Sequence, residues 1–520
     1  MERRVYSELL AWKGSEDRKP LILEGVRQCG KTYILKEFGR REYASVAYFN
    51  FEKDQKLESF FGSTLDPETI VDNLGMYRNE AITTGDTLII FDEVQRCPNV
   101  LTSLKYFRED APEYHVICAG SLLGLLTSKP DSFPVGNVAR IRMHPMDFLE
   151  FLRACGEGGL ADFIEGMEPG ADVPGAFHEK AVQRLREYYV VGGMPAAVES
   201  WVTHRDPEKV DGILGTIIKD YRDDFSRHAG KEFRQVTDVW DSIPSQLAKE
   251  NPKFMYKQVR ENGRSAILGD AVQWLEDAGL VHVVHKVETP GTPLSTVSDP
   301  KSFKIYLADI GILRVMSGRD ASFVVRDDPS DHIYRGVMTE NYVLCQLASA
   351  GMEKMYYWKK KTWEVDILVD SKDGPSPIEV KSEDDTASPS LRRYIDEYRP
   401  KEAYLLSMSG STRKGTVTRS PLYCAGMLFR ASAPRTIHAP RQTGTYRRFF
   451  EAADWIPEEK GFSITIPASV HARGIPSIIQ VYRESDSGYT EVGLGKEIAK
   501  DGTVTITALE VFAGFISISS

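Results

Sequence analysis

The sequence has no long apolar segment and little cysteine. No run of about 18 apolar residues, the length that indicates a membrane-crossing helix, occurs in it, and the charged beginning MERRVYSELLAWKGSEDRK lacks the apolar core of an export signal. The 6 cysteines are scattered, with no Cys-x-x-Cys pair and no Cys/His grouping at zinc spacing. These absences argue against a disulfide framework and a structural zinc site, and they predict a cytoplasmic protein without a membrane partner.

Basic residues are fewer than acidic ones, with 65 Lys and Arg against 75 Asp and Glu. The formal net charge is −10 at pH 7, whereas tight binding to nucleic acids depends mainly on Lys and Arg side chains at phosphates. DNA therefore remains a candidate partner only through a local surface. The stretch from Ala403 to Phe450 contains Lys and Arg but no Asp or Glu, and it is either a phosphate-tracking surface or a solvated basic linker.

A nucleotide-binding signature lies near the N-terminus. A chain of 520 residues with 42% hydrophobic composition predicts several domains, and the first contains LILEGVRQCGKTYILKEF, an apolar strand, a glycine-rich loop and an amphipathic helix. Lys31 is expected to reach the β- and γ-phosphates of ATP, and the Thr32 hydroxyl to bind Mg²⁺. The residues predicted to bind the phosphates are Gly25, Val26, Arg27, Gln28, Cys29, Gly30, Lys31 and Thr32.

Two further apolar strands end in polar residues. DTLIIFDEVQ ends in Asp92, predicted to hold Mg²⁺, and Glu93, predicted to orient the attacking water. YHVICAGSLLG ends near Ser121, which is either a sensor of the γ-phosphate or an ordinary turn residue. Three strands that deliver polar residues to one crevice predict a P-loop NTPase parallel sheet with helices on both faces.

The middle of the chain has a helical pattern followed by strands. Apolar residues recur at helical spacing between Pro207 and Glu250, and SAILGDAVQWLEDAGLVHVVHKVE then predicts a helix and a strand. This order predicts a winged helix, which either reads DNA or packs between neighbouring domains. The acidic residues Asp270, Glu276 and Asp277 on the helix disfavour insertion into a DNA groove.

Residues 20–430 resemble the prokaryotic AAA-type ATPases that carry a winged helix and a C-terminal restriction-endonuclease-like domain of unknown function. The stretches that carry the resemblance are GVRQCGKT, IIFDEVQ, LKYFREDAPEYHVICAGSLLG, HPMDFLEFL, YYVVGGMPAAV and YRDDFSRHA. Many relatives have Gly-Arg where this chain has Gly136-Asn137, so that arginine cannot act as a finger. The candidates that remain are Arg108, Arg140 and Arg142, and a finger supplied by a neighbouring copy implies a homo-oligomer.

The segment WEVDILVDSKDGPSPIEVKS predicts a hairpin that carries acidic residues. Alternation along the second strand places Glu379 and Lys381 on one face, where Glu379 can join Asp366 as a Mg²⁺ ligand and Lys381 can activate water. This layout resembles the PD-(D/E)xK nucleases, with Glu340 matching the auxiliary helix acid. Glu364 is either an alternate ligand or a solvated charge.

The predicted fold class is a multidomain α/β protein. The predicted boundaries are 1–205 for the ATPase domain with lid helices, 206–308 for the winged helix, 309–430 for the nuclease-like α/β domain, 431–450 for a basic linker and 451–520 for a small β domain. Two functions remain: a Mg²⁺-dependent ATPase coupled to a nuclease that acts on DNA, or an ATP-driven switch whose nuclease-like part only binds partners.

Overall fold

The chain divides into two compact units, residues 1–430 and 431–520. A computed structural model describes residues 1–120, 123, 136–249, 252–321, 332–383 and 387–429 of the first unit. In the second it describes 445–450, 454–458, 461–466, 478–485, 488–492, 495–499, 503–508, 510 and 514–519. Within these ranges, no helix combines the length and the apolar character that a membrane crossing requires.

The N-terminal part is built around a parallel sheet of 5 strands in the order β2-β3-β4-β1-β5. Its strands are β1 (Leu21–Gly25), β2 (Ser45–Asn50), β3 (Thr87–Asp92), β4 (His115–Ala119) and β5 (Ala139–Met143). The helices between them are α1 (Val5–Lys13), α2 (Lys31–Glu42), α3 (Glu58–Ser63), α4 (Pro67–Arg78) and α5 (Pro98–Glu109).

Alternating side chains on β1 separate two apolar layers. Leu21 and Leu23 pack with α1 and α2 in one buried cluster, whereas Ile22 points to the opposite face and packs with α4 and α5 in another. A sheet covered on both faces needs apolar residues at successive positions, which is why β3 and β4 read as continuous buried runs. The predicted sheet with helices on both faces is therefore present.

A helical layer follows the parallel sheet. Its helices are α6 (Phe148–Ala154), α7 (Gly158–Glu165), α8 (Gly175–Val191), α9 (Pro195–His204), α10 (Pro207–His228), α11 (Phe233–Leu247), α12 (Tyr256–Val259) and α13 (Ser265–Asp277). The antiparallel hairpin of β6 (Val281–Val287) and β7 (Ser298–Leu307) comes next. Helices followed by a hairpin are the order predicted for 206–308, and the assignment of a winged helix stays a prediction.

The hairpin is part of a larger sheet of 8 strands in the order β12-β13-β11-β10-β9-β8-β6-β7. The added strands are β8 (Tyr356–Lys360), β9 (Trp363–Ser371), β10 (Gly374–Val380), β11 (Ala403–Ser407), β12 (Thr412–Lys414) and β13 (Val417–Pro421). Three helices belong to this region: α14 (Ile310–Met316), α15 (His332–Ser349) and α16 (Pro389–Tyr398). Helix α15 and residues of β9 and β10 share the large apolar cluster that continues from the ATPase part.

The sequence-predicted boundary at 308/309 does not separate two bodies. Strand β6 pairs in parallel with β8, and the buried Asn341 of α15 binds the Leu307 backbone twice, at 2.9 Å each. The carboxylate of Asp309 accepts a hydrogen bond from the Gly193 N–H at 2.6 Å. Pairing of β6 with β8 removes an exposed strand edge, and local patterns do not report such long-range pairing.

The second unit consists of two antiparallel sheets of 4 strands, β14-β21-β17-β18 and β15-β16-β20-β19. The strands are β14 (Thr445–Phe450), β15 (Ile456–Glu458), β16 (Gly461–Ile466), β17 (Ile478–Ser485), β18 (Gly488–Val492), β19 (Gly495–Ile498), β20 (Val504–Ala508) and β21 (Gly514–Ser519). Residues 445–450, predicted to be linker, form a strand instead. The linker prediction rested on the basic composition of this stretch, including the two arginines of TYRRFF. The three aromatic residues of the same segment favour a strand.

Candidate functional site

The glycine-rich loop joins the end of β1 to the start of α2. Gly25 has φ +148, and a Cβ there would meet the Met143 carbonyl oxygen at 2.2 Å, so only glycine fits. Gly30, at φ 97, is the N-cap of α2, a conformation that glycine adopts without strain. The loop thus turns sharply into a helix whose N-terminus presents free N–H groups and positive potential to an anion.

Lys31 points back into this loop. Its side chain is buried, and Nζ donates hydrogen bonds to the carbonyl oxygens of Gly25 at 2.7 Å and Val26 at 2.9 Å. An ammonium group among backbone carbonyls is held where the phosphates of a nucleotide would lie. A phosphate oxygen is a stronger partner for it than a neutral carbonyl.

Thr32 and Asp92 meet at the other side of the loop. The Thr32 hydroxyl donates to Asp92 Oδ2 at 2.8 Å, and the Tyr48 hydroxyl donates to the same oxygen at 2.7 Å. Burial and the hydrogen bond to Asp92 raise the pKa of Tyr48, so its proton stays in place. A hydroxyl and a carboxylate oxygen are the hard ligands that Mg²⁺ takes in nucleotide sites. These two residues therefore fit the ion.

Glu93 follows Asp92 in an uncommon backbone conformation. Its φ of 58 lies in the left-handed region, which a non-glycine residue adopts at a cost that surrounding structure must offset. Its Oε2 accepts a hydrogen bond from Gln95 Nε2 at 2.5 Å. The Glu93 backbone N–H donates to Asp92 Oδ1 at 3.1 Å, so Glu93 begins beside the Asp92 carboxylate.

The other predicted residues of this half are distributed as follows. Ser121 lies outside the described residues. Arg140 and Arg142 of β5 both pair with the buried Glu24, at 3.7 and 3.6 Å, and Arg108 pairs with Asp17. Each of the three candidate finger residues thus has an acidic partner within its own chain.

The nuclease-like residues come together on the larger sheet. The Asp366 Oδ2 atom on β9 accepts the backbone N–H of Val380 at 2.8 Å, and the buried Glu379 pairs with Lys381 at 2.9 Å. Burial raises the pKa of Asp366 well above its ordinary value, and the charges of Glu379 and Glu340 raise it further.

A lysine that the sequence analysis did not single out lies inside this cluster. Lys304 of β7 is 1% exposed, and its Nζ lies 2.8 Å from Glu364 and 3.6 Å from Glu340. Burial lowers the pKa of Lys304, but Tyr306, Glu340 and the other nearby acids outweigh burial, so this pKa is raised. The Tyr306 hydroxyl donates to Glu340 at 2.6 Å. The available signal was a lysine in the apolar run FKIYL.

The predicted metal centre contains lysines of the chain among its acids. Among the residues that the structure describes, no group of three or more His, Cys, Asp or Glu side chains is arranged to hold a metal ion. Glu340 is engaged by Tyr306 and Lys304, and Glu379 by Lys381. The predicted set Glu340, Asp366 and Glu379 is therefore brought into one neighbourhood, in which lysines of the chain already contact two of the three acids, and its role as a metal site stays a prediction.

Comparison with known families gives three matches. Residues 17–152 match an AAA domain, residues 182–322 match a domain of unknown function (DUF8612), and residues 335–423 match another (DUF4143). No curated protein matches the chain.

Solved structures give only weak similarities. The Walker-type ATPase PABY2304 of Pyrococcus abyssi is 16% identical, with 61% of this chain and 95% of that chain covered and a TM-score of 0.38. The Aeropyrum pernix Orc1 protein in complex with DNA is 15% identical, with 61% and 91% covered and a TM-score of 0.27. AMPPCP-bound DnaA from Aquifex aeolicus is 14% identical, with 53% and 87% covered and a TM-score of 0.24. These scores are too low to indicate a function.

The AAA match spans the parallel sheet, the glycine-rich loop and the Asp92-Glu93 pair. This chain therefore contains an AAA-type P-loop ATPase domain, followed by two regions that match domains of unknown function.

Proposed function

We propose that this protein is a Mg²⁺-dependent ATPase that works as a nucleotide-driven switch, and that its nuclease-like part binds or transmits rather than cuts. The carrying observation is the convergence of the Lys31 ammonium, the Thr32 hydroxyl and the Asp92 carboxylate at the N-terminus of α2. Glu93 follows Asp92 at the end of β3, which is separated from β1 by β4. This set contains the groups that phosphoryl transfer to water requires.

Each residue has a separate role in the proposed reaction. Lys31 leaves the loop carbonyls for the β- and γ-phosphate oxygens, and the N–H groups of the loop bind the same phosphates. Thr32 and Asp92 would hold Mg²⁺, which neutralises part of the phosphate charge when it is bound. Glu93 orients a water molecule for attack on the γ-phosphorus. A bond from the water oxygen forms, and the bond from phosphorus to the bridging oxygen breaks, leaving ADP with the electron pair.

Charge balance supports a non-cleaving role for the nuclease-like part. Lys304 supplies a positive charge inside the acidic cluster, where a nuclease of this fold would need a divalent cation. Lys304 is buried, and a hydrated metal ion could replace its ammonium group only if that group were separated from its acidic partners. The net charge of −10 offers no general attraction to DNA either.

The ATPase proposal is tested by removing the loop ammonium. We expect the full-length wild type to release phosphate from ATP in Mg²⁺ and to stop when EDTA is added. Lys31→Ala should lose nucleotide binding, measured by titration with a fluorescent ATP analogue, because no other ammonium lies in the loop region described here. The control Lys105→Ala, on the exposed face of α5, should match the wild type. Equal turnover in Lys31→Ala and the wild type would refute the assignment.

The non-cleaving role is tested with DNA. Wild type and Asp366→Ala are incubated with linear, supercoiled and single-stranded DNA in Mg²⁺ or Mn²⁺, with and without ATP. We expect no cleavage by the wild type above the level of Asp366→Ala, because Lys304 contacts Glu340 and Glu364 and Lys381 pairs with Glu379. Metal-dependent cutting that disappears in Asp366→Ala would establish the nuclease function in its place.

A further inference from the structure

Two side chains of the phosphate loop are held by a single helix outside the parallel sheet. Arg27 Nη1 donates to Asp224 Oδ1, and Gln28 Nε2 donates to Asp220 Oδ2 at 2.6 Å. Both aspartates belong to α10 and lie one turn apart. The hydroxyl of Tyr221, on the same helix, donates to the Arg27 carbonyl at 3.1 Å. The loop therefore has a second anchor besides α2.

The guanidinium of Arg27 is held against this helix by Asp224. Asp224 is buried, whereas the Arg27 side chain is 34% exposed. Burial lowers the pKa of Arg27, but its hydrogen bond and the charge of Asp224 oppose this effect. The charges of Glu93 and Asp220 also raise the pKa of Arg27, and the net effect is a raised pKa. The Arg27 guanidinium is thus a permanent positive charge, partly open to solvent, that interacts electrostatically with Glu93, the predicted water-positioning residue.

We propose that Arg27 is a catalytic residue of ATP hydrolysis, which exchanges its Asp224 partner for the γ-phosphate when ATP binds. The proposal rests on the function proposed above. Arg27 lies in the loop between β1 and α2, and its side chain is 34% exposed, so the guanidinium can change partner without leaving a buried site. A γ-phosphate carries more negative charge than a carboxylate and accepts two parallel N–H bonds from a guanidinium.

The guanidinium stabilises charge and transfers no proton in this step. As the water oxygen bonds to the γ-phosphorus and the bond to the bridging oxygen breaks, negative charge spreads over the equatorial and leaving oxygens. Arg27 offers N–H donors to that charge from the same chain. Asp224 is a positioning residue, since it keeps the guanidinium beside the loop before ATP arrives and competes with the phosphate for it.

A purely structural Arg27–Asp224 pair would behave differently. If the pair only fastens the loop to α10, removal of either partner should weaken ATP binding alike, because the same contact is lost. If Asp224 competes with the phosphate, Asp224→Asn should instead tighten ATP binding. The two explanations therefore predict opposite signs for one substitution.

The experiment measures kcat, KM and nucleotide affinity on the full-length protein. Arg27→Ala is expected to lower kcat by about 10³-fold, the lower end for loss of a catalytic arginine, with little change in the Kd of ADP, which lacks the γ-phosphate. Arg27→Lys keeps the charge but lacks the planar fork, so only part of kcat should return. Guanidinium chloride at non-denaturing concentration should partly restore turnover to Arg27→Ala.

Asp224→Asn is expected to lower the KM for ATP by about two- to fivefold, the range for loss of a part-exposed ion pair. The matched control is Asp223→Asn, which removes the same charge from an exposed position on the same helix and should leave kcat at the wild-type value. Should Arg27→Ala fold poorly, as judged from its unfolding midpoint, Arg27→Lys and Asp224→Asn still decide the question. Failure of the ATPase proposal is separate, since it would appear as turnover that does not depend on Lys31.

Two results would overturn the role of Arg27. One is Lys31-dependent hydrolysis with wild-type kcat in folded Arg27→Ala or Arg27→Lys. The other is a rise in KM for Asp224→Asn equal to that of Arg27→Ala, which would make the pair a structural anchor.

Discussion

Single residues in the nucleotide site owe their positions to two sequence segments that the parallel sheet places side by side. Thr32 and Asp92 are 60 positions apart in the chain, yet their side chains form a hydrogen bond of 2.8 Å. The left-handed backbone of Glu93 is the least expected feature at this scale, because a non-glycine residue rarely adopts it. Backbone strain of this kind is found mostly at functional positions.

Glu93→Gln is the prediction that belongs to this scale. Glutamine keeps the size of the side chain but not its charge, so ATP should still bind while turnover falls by roughly 10²–10⁴, the contribution of positioned acid–base groups. Phosphate release and retention of labelled ATP measure the two effects. The exposed Glu109→Gln on α5 serves as the control. Undiminished turnover in Glu93→Gln would remove Glu93 from the mechanism.

At the scale of elements, strand β7 places a lysine next to acidic residues of neighbouring elements. It lies at the end of the larger sheet, and its inner half is buried, with Lys304 among apolar residues. A buried ammonium needs acidic partners, and β9 and α15 supply them through Glu364 and Glu340. Glu340, which belongs to the nuclease-like pattern, and Glu364 thus stabilise the packing of β7 through Lys304.

Lys304→Met should therefore destabilise the protein. Methionine fills a similar volume, but the substitution leaves Glu340 and Glu364 without their buried cation, at a cost of about 3–5 kcal/mol in the free energy of unfolding. Urea denaturation followed by tryptophan fluorescence measures this loss. Lys301→Met, on the exposed half of the same strand, is the matched control. Identical midpoints for the two variants would show that Lys304 does not stabilise the cluster.

Much of the element pattern could be predicted from the sequence. Buried runs and helical periodicity located the parallel sheet and the phosphate loop, since each depends on residues close together in the chain. The pairing of β6 with β8 could not be predicted in the same way, because strand order depends on which edges remain free after packing. The metal interpretation of Asp366 and Glu379 came from strand alternation and a family resemblance and stays a prediction, since neither source reveals the buried Lys304 near these acids.

At the scale of the whole molecule, the first unit combines the AAA-type part and the larger sheet of 8 strands in one compact unit. The resemblance led to candidate finger residues that a neighbouring copy would supply. In the structure, Arg140 and Arg142 pair with Glu24 and Arg108 with Asp17. Arg27 is already inside the loop, which makes a second copy unnecessary for the proposed reaction.

The specific ATPase activity should therefore be independent of protein concentration. We expect a constant rate per molecule over a wide dilution series, because Arg27 acts within its own chain. Mixing Arg140→Ala with Lys31→Ala should give no more activity than the sum of the two. Activity that rises with concentration, together with rescue in the mixture, would instead support a finger supplied in trans.

The sequence by itself determined the phosphate loop, the Asp92-Glu93 pair and the parallel sheet around them, because the chemistry and the strand-loop-helix order are encoded in contiguous residues. Only the tertiary structure decided which charges meet. Arg27 and Asp224 are 197 positions apart, and Lys304 reaches Glu340 and Glu364 from a strand assigned by sequence to another domain. Ion pairs of this kind form where packing brings distant elements together, and burial then decides whether an acid binds a metal or a lysine.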